Sequence, residues 1–180
     1  MISLRSTIAR KVLEHFFFNP GARHYVQELA RILKTDPKNL YRKLRELEKE
    51  GMLASDFSGK QRYFSLNNNY PLLREYRRIV FRTLFEKRLG SALEGVEGVQ
   101  EAYLFGSYAA QKMNAASDVD LLVVGNHSSL ALQRVIQSFQ KEIGREINAV
   151  SMGPKEFLAK RKRKDPFLKQ VLSGKRIKLL

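Results

Sequence analysis

The sequence predicts an α+β protein, in which a mostly helical N-terminal part with a β-hairpin precedes a C-terminal part of alternating strands and helices. Apolar residues recur at helical spacing through the first 50 positions, and two short strand-like runs then flank a Gly-Lys turn. After residue 98, strand-like apolar runs alternate with helical patterns. We therefore expect an α/β domain in the C-terminal part.

The composition is that of a folded and strongly basic protein. Of the 180 residues, 43% are hydrophobic and 28% are charged, which is enough to build a core. The absence of cysteine excludes a disulfide framework, a thiolate metal site and a thiol nucleophile, and it fits a cytoplasmic location. No apolar run approaches the roughly 18 to 20 residues of a membrane-spanning helix, so we expect a soluble protein without a membrane partner.

The positive charge is concentrated in the first half of the chain. Lys and Arg number 33 against 18 Asp and Glu, a net charge of +15, and residues 1–90 hold 19 of the basic residues against nine acidic ones. Nucleic-acid binding, binding to an anionic membrane and generic solubility would each explain such a charge. The arrangement of the basic residues must distinguish them.

Three helices are predicted in the first third, over residues 1–18, 25–33 and 36–50. Asn19-Pro20-Gly21 ends the first helix. Asp36 is a good N-cap for the third helix, Pro37 suits its first position, and Gly51 ends it. The buried stripe of this helix consists of Leu40, Leu44 and Leu47. Its outer face is polar and basic.

Two strand-like runs, 52–57 and 62–66, follow around the basic tip Ser58-Gly59-Lys60-Gln61 and predict a hairpin. Three helices and a basic hairpin in this order resemble the ArsR-like winged helix-turn-helix family across residues 3–68. The resemblance implies that helix 36–50 enters the major groove of double-stranded DNA, and that the hairpin touches the backbone or the minor groove. A protein-interaction module with a solvated third helix is the alternative.

The exposed side chains of this helix and hairpin are the candidate DNA contacts. Arg suits guanine and Asn suits adenine, whereas other cations contact phosphates. The candidate base readers are Lys38, Asn39 and Arg42, the candidate phosphate contacts are Arg45, Lys60 and Arg62, and Tyr41 shares the outward face.

Residues 70–90 are expected to form a basic connecting helix, which Gly90 ends. The predicted domains are therefore a winged helix-turn-helix domain at 1–69, the connecting helix at 70–90 and a second domain at 91–180. Because helix-turn-helix proteins read paired half-sites, this organisation favours a homodimer.

The residues that carry chemistry lie in the second domain. A strand over 99–105 ends at Gly106-Ser107, and Asp118 and Asp120 enter the next strand at positions i and i+2. Their side chains therefore share one face of the strand. Paired carboxylates suit Mg²⁺, and Gly106-Ser107 offers backbone N–H groups and a hydroxyl to a triphosphate.

Gly106-Ser107, followed after ten residues by Asp118-Val119-Asp120, resembles the minimal nucleotidyltransferase family of the polymerase-beta-like superfamily over about residues 91–150. The resemblance implies a domain with a mixed sheet, Mg²⁺ as cofactor, a nucleoside triphosphate as substrate or ligand, and transfer of a nucleoside monophosphate to a hydroxyl. It places Ser107 on the phosphates and makes Asp118 and Asp120 metal ligands and catalytic residues.

The sequence departs from this family in two places. Ala110-Gln111 stand where the family commonly has Arg-Gly, so a phosphate contact is lost. In the candidate strand 145–150, the position of the expected third carboxylate is Asn148, which cannot take a proton from a hydroxyl. Glu146, on the same strand face, is the candidate substitute.

Three functions stay open at this stage. The first is a DNA-binding transcriptional regulator with a fused nucleotidyltransferase-like domain, and a toxin-like protein partner is compatible with it. The second is a nucleotidyltransferase whose winged helix recruits a protein or RNA acceptor, and the third is a regulator with a catalytically silent nucleotide-sensing or dimerisation module. The basic run 160–164 is explained equally well as an exposed helix end and as a nucleic-acid or nucleotide contact.

Overall fold

The structure, a computed structural model, describes residues 5–114 and 117–180. The chain forms two compact units, one ending at Leu84 and the other beginning at Phe85. This division falls inside the segment 70–90 that the sequence marks as a connecting helix. Within the described residues, no helix combines the length and the apolar character needed to cross a membrane.

The N-terminal unit combines helices with a small antiparallel sheet. Its elements are α1 (Thr7–Phe18), β1 (Arg23–Tyr25), α2 (Val26–Leu33), α3 (Pro37–Lys49), β2 (Leu53–Ser58), β3 (Gln61–Leu66) and α4 (Leu73–Val80). The strand order is β1-β3-β2. The second and third helices and the hairpin are confirmed to within one residue at each end. The predicted first helix, 1–18, is observed from Thr7 to Phe18, and residues 1–4 of that prediction lie outside the described residues. Strand β1 was not predicted, because three residues are too few to show a periodic pattern.

The residues at the helix ends explain why α1 and α3 begin where they do. The Ser6 hydroxyl accepts a hydrogen bond from the Ala9 N–H at 3.3 Å. The Asp36 carboxylate accepts one from the Asn39 N–H at 2.9 Å, with Pro37 at the first helical position as predicted. Both caps satisfy N–H groups that a helix leaves without a partner.

Helix α1 is the centre of the N-terminal core. Phe16, Phe17 and Phe18 are consecutive and fully buried. Because three successive helical residues point in different directions, α1 must be covered on several sides, and it contacts α3, α4 and β3. The ring of Phe81 lies 4.6 Å from that of Phe18 and 6.5 Å from that of Phe17, measured between centroids.

The helical segment after Leu72 is longer than predicted. Helix α4 continues into a π-helical stretch, Phe81–Glu86, and then into α5 (Lys87–Glu94). The prediction that Gly90 ends the helix was wrong, because Gly90 is buried inside α5. A Cβ at this position would lie 3.5 Å from the carbonyl oxygen of Leu179. This is an ordinary van der Waals distance, so the packing beside Gly90 does not require glycine, which costs about 1 kcal/mol in a helix interior.

The C-terminal unit is built on a four-stranded sheet. Its further elements are β4 (Val99–Phe105), α6 (Gly106–Ala109), β5 (Val119–Gly125), α7 (Ser129–Ile143), β6 (Ile147–Met152), α8 (Pro154–Lys162), α9 (Pro166–Ser173) and β7 (Ile177–Lys178). The strand order is β6-β5-β4-β7, with β5 and β6 parallel and the other pairs antiparallel. The predicted mixed sheet is confirmed.

Helices cover the sheet so that its two faces are distinct. Leu122 and Val124 of β5 belong to a buried cluster with Phe157 of α8 and with Leu168 and Val171 of α9. The intervening residues of β5 point to the other face, where α5 contacts β4 and α7 contacts β6. By the same alternation, Asp120 shares the face of α8 and α9.

The N-terminal core predicts a specific sensitivity to acid through His15. Burial, and secondarily the neighbouring His24, lowers the pKa of His15 from 6.5 to about 4. Because the folded state binds this proton less readily than the unfolded state, stability should be full above about pH 6.5 and fall towards pH 4. One pKa unit corresponds to about 1.4 kcal/mol, so the full loss is on the order of 3 kcal/mol.

The measurement is the melting temperature as a function of pH for the wild type and for His15→Phe, which keeps an aromatic ring against Phe16. The wild type should lose more stability than the variant between these pH values. The difference between the two curves isolates His15. Burial also lowers the pKa of His127, but His127 is present in both proteins. Parallel curves would contradict a buried, neutral His15.

Candidate functional site

Two acidic residues and a Gly-Ser turn meet at one end of the sheet. Strand β4 runs antiparallel to β5, whereas β6 runs parallel to it, so the end of β4 lies beside the starts of β5 and β6. In this register Asp120 lies between Phe105 and Asn148. Gly106 directly follows Phe105, and Asp118 directly precedes β5. The predicted metal and nucleotide residues therefore lie together.

The backbone at Gly106 approaches the carboxylate of Asp120 closely. Gly106 has a φ of 66°, in the left-handed region that favours glycine. A Cβ at this position would overlap Oδ2 of Asp120 and lie 3.0 Å from its Cγ. Only glycine leaves this space open. The hydroxyl of the next residue, Ser107, makes no hydrogen bond to any part of the chain that the structure describes.

The environment of Asp120 disfavours its negative charge. Burial raises the pKa of Asp120, the charge of Asp118 raises it further, and a hydrogen bond with Asn148 acts in the opposite direction. Asp118 itself is exposed. Two neighbouring carboxylates that repel each other are stabilised by a cation with a preference for oxygen ligands.

The position of the expected third carboxylate is occupied by an amide. Asn148 is the partner of Asp120 in the parallel ladder, so the substitution seen in the sequence lies directly beside the acidic pair. Glu146 precedes β6 instead of lying within it. Its side chain is exposed, and its carbonyl oxygen accepts a hydrogen bond from the Val119 N–H at 3.0 Å. The catalytic role of Glu146 stays a prediction.

The structure adds Arg145, which the sequence did not single out. Its Nη1 donates a hydrogen bond to the carbonyl oxygen of Ser117 at 3.0 Å. Burial lowers the pKa of Arg145, whereas the nearby charge of Asp118 raises it. A cationic side chain therefore lies beside the carboxylates. The only signal in the sequence was an arginine at the start of the candidate strand 145–150.

One residue in the loop after the Gly-Ser turn adopts a backbone conformation that favours glycine. Gln111 has a φ of 57° and stands where the family commonly has glycine. Ala110, at the position of the family's arginine, offers no charge to a phosphate. Helix α6 spans only four residues, so its dipole is small.

The comparison with known protein families decides the assignment. The family described as "Nucleotidyltransferase domain" matches residues 84–179. The chain belongs to this family. No curated protein matches the chain.

The solved structures to which the chain is similar include two toxin–antitoxin proteins. One is a mutant of the toxin–antitoxin MntA-HpeT, with 18% identity, a TM-score of 0.40 and coverage of 54% of this chain and 73% of that one. The other is a toxin–antitoxin with AMP-PNP, with 20% identity, a TM-score of 0.40 and the same coverage.

The donor groups of this nucleotidyltransferase domain fit Mg²⁺ and a nucleotide. Asp118 and Asp120 supply carboxylate oxygens, and the lack of a side chain at Gly106 leaves room beside the Asp120 carboxylate. In the part of the chain that the structure describes, no group of three or more His, Cys, Asp and Glu side chains could hold a metal. A metal at this site would therefore take its remaining ligands from water or a bound nucleotide.

The predicted DNA contacts on α3 lie on one exposed face of the N-terminal unit. A shallow concave surface of 680 Å³ follows this face and is lined by Tyr41, Arg42, Arg45, Glu46, Glu48 and Lys49. Lys38 and Asn39 are exposed in the first turns of α3, and Lys60 is exposed at the hairpin tip.

Arg62 and Arg45 are joined through a single carboxylate. Nη2 of Arg62 lies 2.8 Å from Oε1 of Glu48, and Nη1 of Arg45 lies 2.5 Å from Oε2. Burial alone would raise the pKa of Glu48, but hydrogen bonds from Ser55 and Arg62 leave it below its ordinary value. These contacts hold the hairpin against α3.

The repulsion at the acidic pair predicts that the ligand-free protein gains stability when Asp120 is neutralised. The raised pKa means that folding favours protonated Asp120, so the ionised group destabilises the fold above its unfolded pKa of about 4. We expect Asp120→Asn to raise the melting temperature by a few degrees at about pH 7.5 with a chelator present, and the gain to shrink as the pH falls towards 4. Asp118→Asn, at an exposed position, should gain less. A lower melting temperature for Asp120→Asn at neutral pH would contradict this account.

Proposed function

We propose that the C-terminal unit binds a complex of Mg²⁺ with a nucleoside triphosphate and transfers a nucleoside monophosphate to a hydroxyl acceptor. The observation that supports this proposal is the meeting of Gly106, Ser107, Asp118 and Asp120 at one end of the sheet. Membership of the nucleotidyltransferase family agrees with it.

In this proposal different residues of the site bind the metal and the phosphates. Asp118 and Asp120 hold the metal, which supplies a Lewis acid that offsets the charge of the triphosphate. The backbone N–H groups of the Gly-Ser turn and the Ser107 hydroxyl orient the phosphates. Arg145 provides the phosphate contact that Ala110 lacks, since its guanidinium lies beside Asp118.

The transfer step requires an acceptor for one proton. The hydroxyl oxygen bonds to the α-phosphorus, the bond to the pyrophosphate group breaks, and the hydroxyl proton passes to a base. Asn148 cannot take that proton, so we assign this role to Glu146, which lies at the level of Asp118 along the sheet. Without a working base the domain would bind nucleotide without turnover, which is the nucleotide-sensing alternative.

The first test measures nucleotide binding in the presence of Mg²⁺. Replacing both carboxylates in Asp118→Asn/Asp120→Asn should weaken triphosphate binding at least tenfold, since the metal ligands are lost. Gly106→Ala should have a similar effect, because its Cβ displaces the Asp120 carboxylate. Ser129→Ala, on α7, is the control and should bind like the wild type. Equal affinity in all four proteins would overturn the site.

Transfer itself is followed with a triphosphate radiolabelled in the α-phosphate, incubated with the full chain and candidate acceptors. Glu146→Gln should bind nucleotide normally and lose label transfer, while Asn148→Asp should not lose it. Nucleotide binding by the wild type without any label transfer would refute the proposed transfer activity and favour the nucleotide-sensing alternative.

A second candidate function concerns the N-terminal unit, which we propose to be a winged helix-turn-helix domain that binds double-stranded DNA. The observation that favours it is the exposed basic face of α3, with the hairpin held against α3 through Glu48 and Arg62. The order of three helices and a hairpin supports the ArsR-like resemblance. We propose that a homodimer of such units acts as a transcriptional regulator, and that Lys38, Asn39 and Arg42 read bases.

DNA binding by α3 predicts a steep salt dependence. Removing Arg45 and Lys60 together should lower the slope of log affinity against log salt by about 1.8, because each phosphate contact contributes about 0.9. The measurement is duplex-DNA binding over a range of salt concentrations. Arg134→Ala/Lys141→Ala removes the same charge from exposed positions of α7 and is the matched control.

An unchanged slope in Arg45→Ala/Lys60→Ala, or the same reduction in the control, would refute this docking face. Retention of RNA or protein binding without duplex binding would instead favour the enzyme whose N-terminal unit recruits an acceptor. A toxin-like protein partner stays a prediction in either case.

A further inference from the structure

The positive charge of the C-terminal unit comes from one segment near its end. Residues 154–178 contain ten Lys and Arg against two Asp and Glu, whereas residues 85–153 contain six against eight. The segment comprises α8, the turn after it, α9 and β7. Its charge is thus separated from the acidic remainder of the unit.

The centre of this segment is a run of four exposed cations, Arg161, Lys162, Arg163 and Lys164, which we call the basic turn. None of the four forms an ion pair within the described ranges 5–114 and 117–180. The two acidic residues nearby are already engaged. Glu156 pairs with Lys160 at 2.8 Å, and Asp165 caps α9 by accepting a hydrogen bond from the Leu168 N–H at 3.0 Å.

Stabilisation of the helix end explains only part of the basic turn. Cations in the last turn of a helix offset its dipole by about 0.3–1 kcal/mol each, and the effect falls off beyond that turn. Helix α8 ends at Lys162, so Arg163 and Lys164 lie past its end. Stabilisation of the α8 end therefore does not explain the positive charge of Arg163 and Lys164.

A cleft accompanies the basic turn. It has a volume of 330 Å³ and is lined by Arg161, Lys164, Asp165, Leu168, Lys169 and Leu172. Three of its six lining side chains are cationic, and they come from α8, from the turn and from α9. A phosphate group in the cleft could therefore contact cations from both helices.

The basic turn lies on the same sheet face as the acidic pair. The ring of Phe167, in the first turn of α9, contacts that of Phe105 at 5.7 Å between centroids. Phe105 is the register partner of Asp120. Since Lys164 is only three residues before Phe167, a ligand on the basic turn would lie near the carboxylate end of the sheet.

The side chains exposed on α8, α9 and the basic turn indicate which class of partner this surface binds. Protein interfaces have an apolar centre poor in charge, and membrane-binding helices need a broad apolar face. On α8 and α9 only Leu158 is a strongly exposed large apolar side chain. Consecutive exposed cations match the regular charges of a sugar–phosphate backbone.

We propose that the basic turn and its cleft bind the phosphate backbone of a polynucleotide. This surface lies in the C-terminal unit and is separate from α3. Binding there requires neither the transfer reaction nor DNA recognition by the N-terminal unit. It contacts phosphates and not base edges, so it is independent of sequence.

The test uses the full chain and single-stranded RNA and DNA of one sequence, about 20 nucleotides long, which exceeds the usual site size of a single-strand-binding fold. Arg161→Gln/Arg163→Gln/Lys164→Gln should weaken binding at least tenfold at about 0.1 M salt. It should also lower the salt slope by about 2, at about 0.7 per contact on a single strand. Circular dichroism checks that the variant is folded, and the RNA and DNA arms identify the preferred backbone.

Lys87→Gln/Arg134→Gln/Lys141→Gln removes the same charge from exposed positions of α5 and α7 and should change binding less than about twofold, as expected for cations distant from the contact. Equal losses in both variants would overturn the proposal, as would no loss in the basic-turn variant. Equal competition by poly-glutamate would show an acidic-protein surface instead. Unchanged Mg²⁺–nucleotide binding by the basic-turn variant is expected, and its loss without a loss of oligonucleotide binding would assign these cations to the nucleotide site.

Discussion

The contact between the Gly106 backbone and the Asp120 carboxylate is the constraint on which the C-terminal site depends. It requires the observed register, in which Phe105 pairs with Asp120. A slip of one residue would turn Asp120 to the opposite face of β5, where Val119 and Leu121 are fully buried. A carboxylate placed there without a partner would be costly. The buried apolar residues of β5 thus fix the position of the acidic pair, and glycine at 106 keeps space for it.

The site was predictable where its geometry is local. Asp118 and Asp120 share a face because strand side chains alternate, and Asp36 and Pro37 mark the start of α3 through rules that act within four residues. Arg145 and Glu146 lie beside the site because β6 pairs in parallel with β5, a contact between segments almost 30 residues apart that no local pattern encodes. Gly90 shows the same limit, since it is buried inside α5 and lies beside the distant Leu179.

In the N-terminal unit, the structure separates cations that the sequence counts alike. Glu48 holds Arg45 and Arg62, and Glu46 holds Lys43, so part of the charge of α3 is neutralised inside the unit. Lys38 and Arg42 form no ion pair with any residue that the structure describes. The two cations among the proposed base readers therefore have no carboxylate partner in the described part of the chain. Glu48 thus lowers the net charge of this face, and the same contacts fix the positions of Arg45, Arg62 and the hairpin.

The left-handed conformation of Gln111 shows what determines the shape of the loop after Gly106-Ser107. A non-glycine residue in this conformation costs about 1 kcal/mol, so other contacts must impose it. The Gln111 N–H donates to the carbonyl oxygen of Tyr108 at 3.0 Å, and the Lys112 N–H donates to that of Ser107 at 2.9 Å. Tyr108 is almost fully buried, with its ring 5.6 Å from that of Phe85 between centroids. The loop therefore takes its shape from an aromatic anchor in the core, and the amino acid at the bend itself can change while the amides keep their directions.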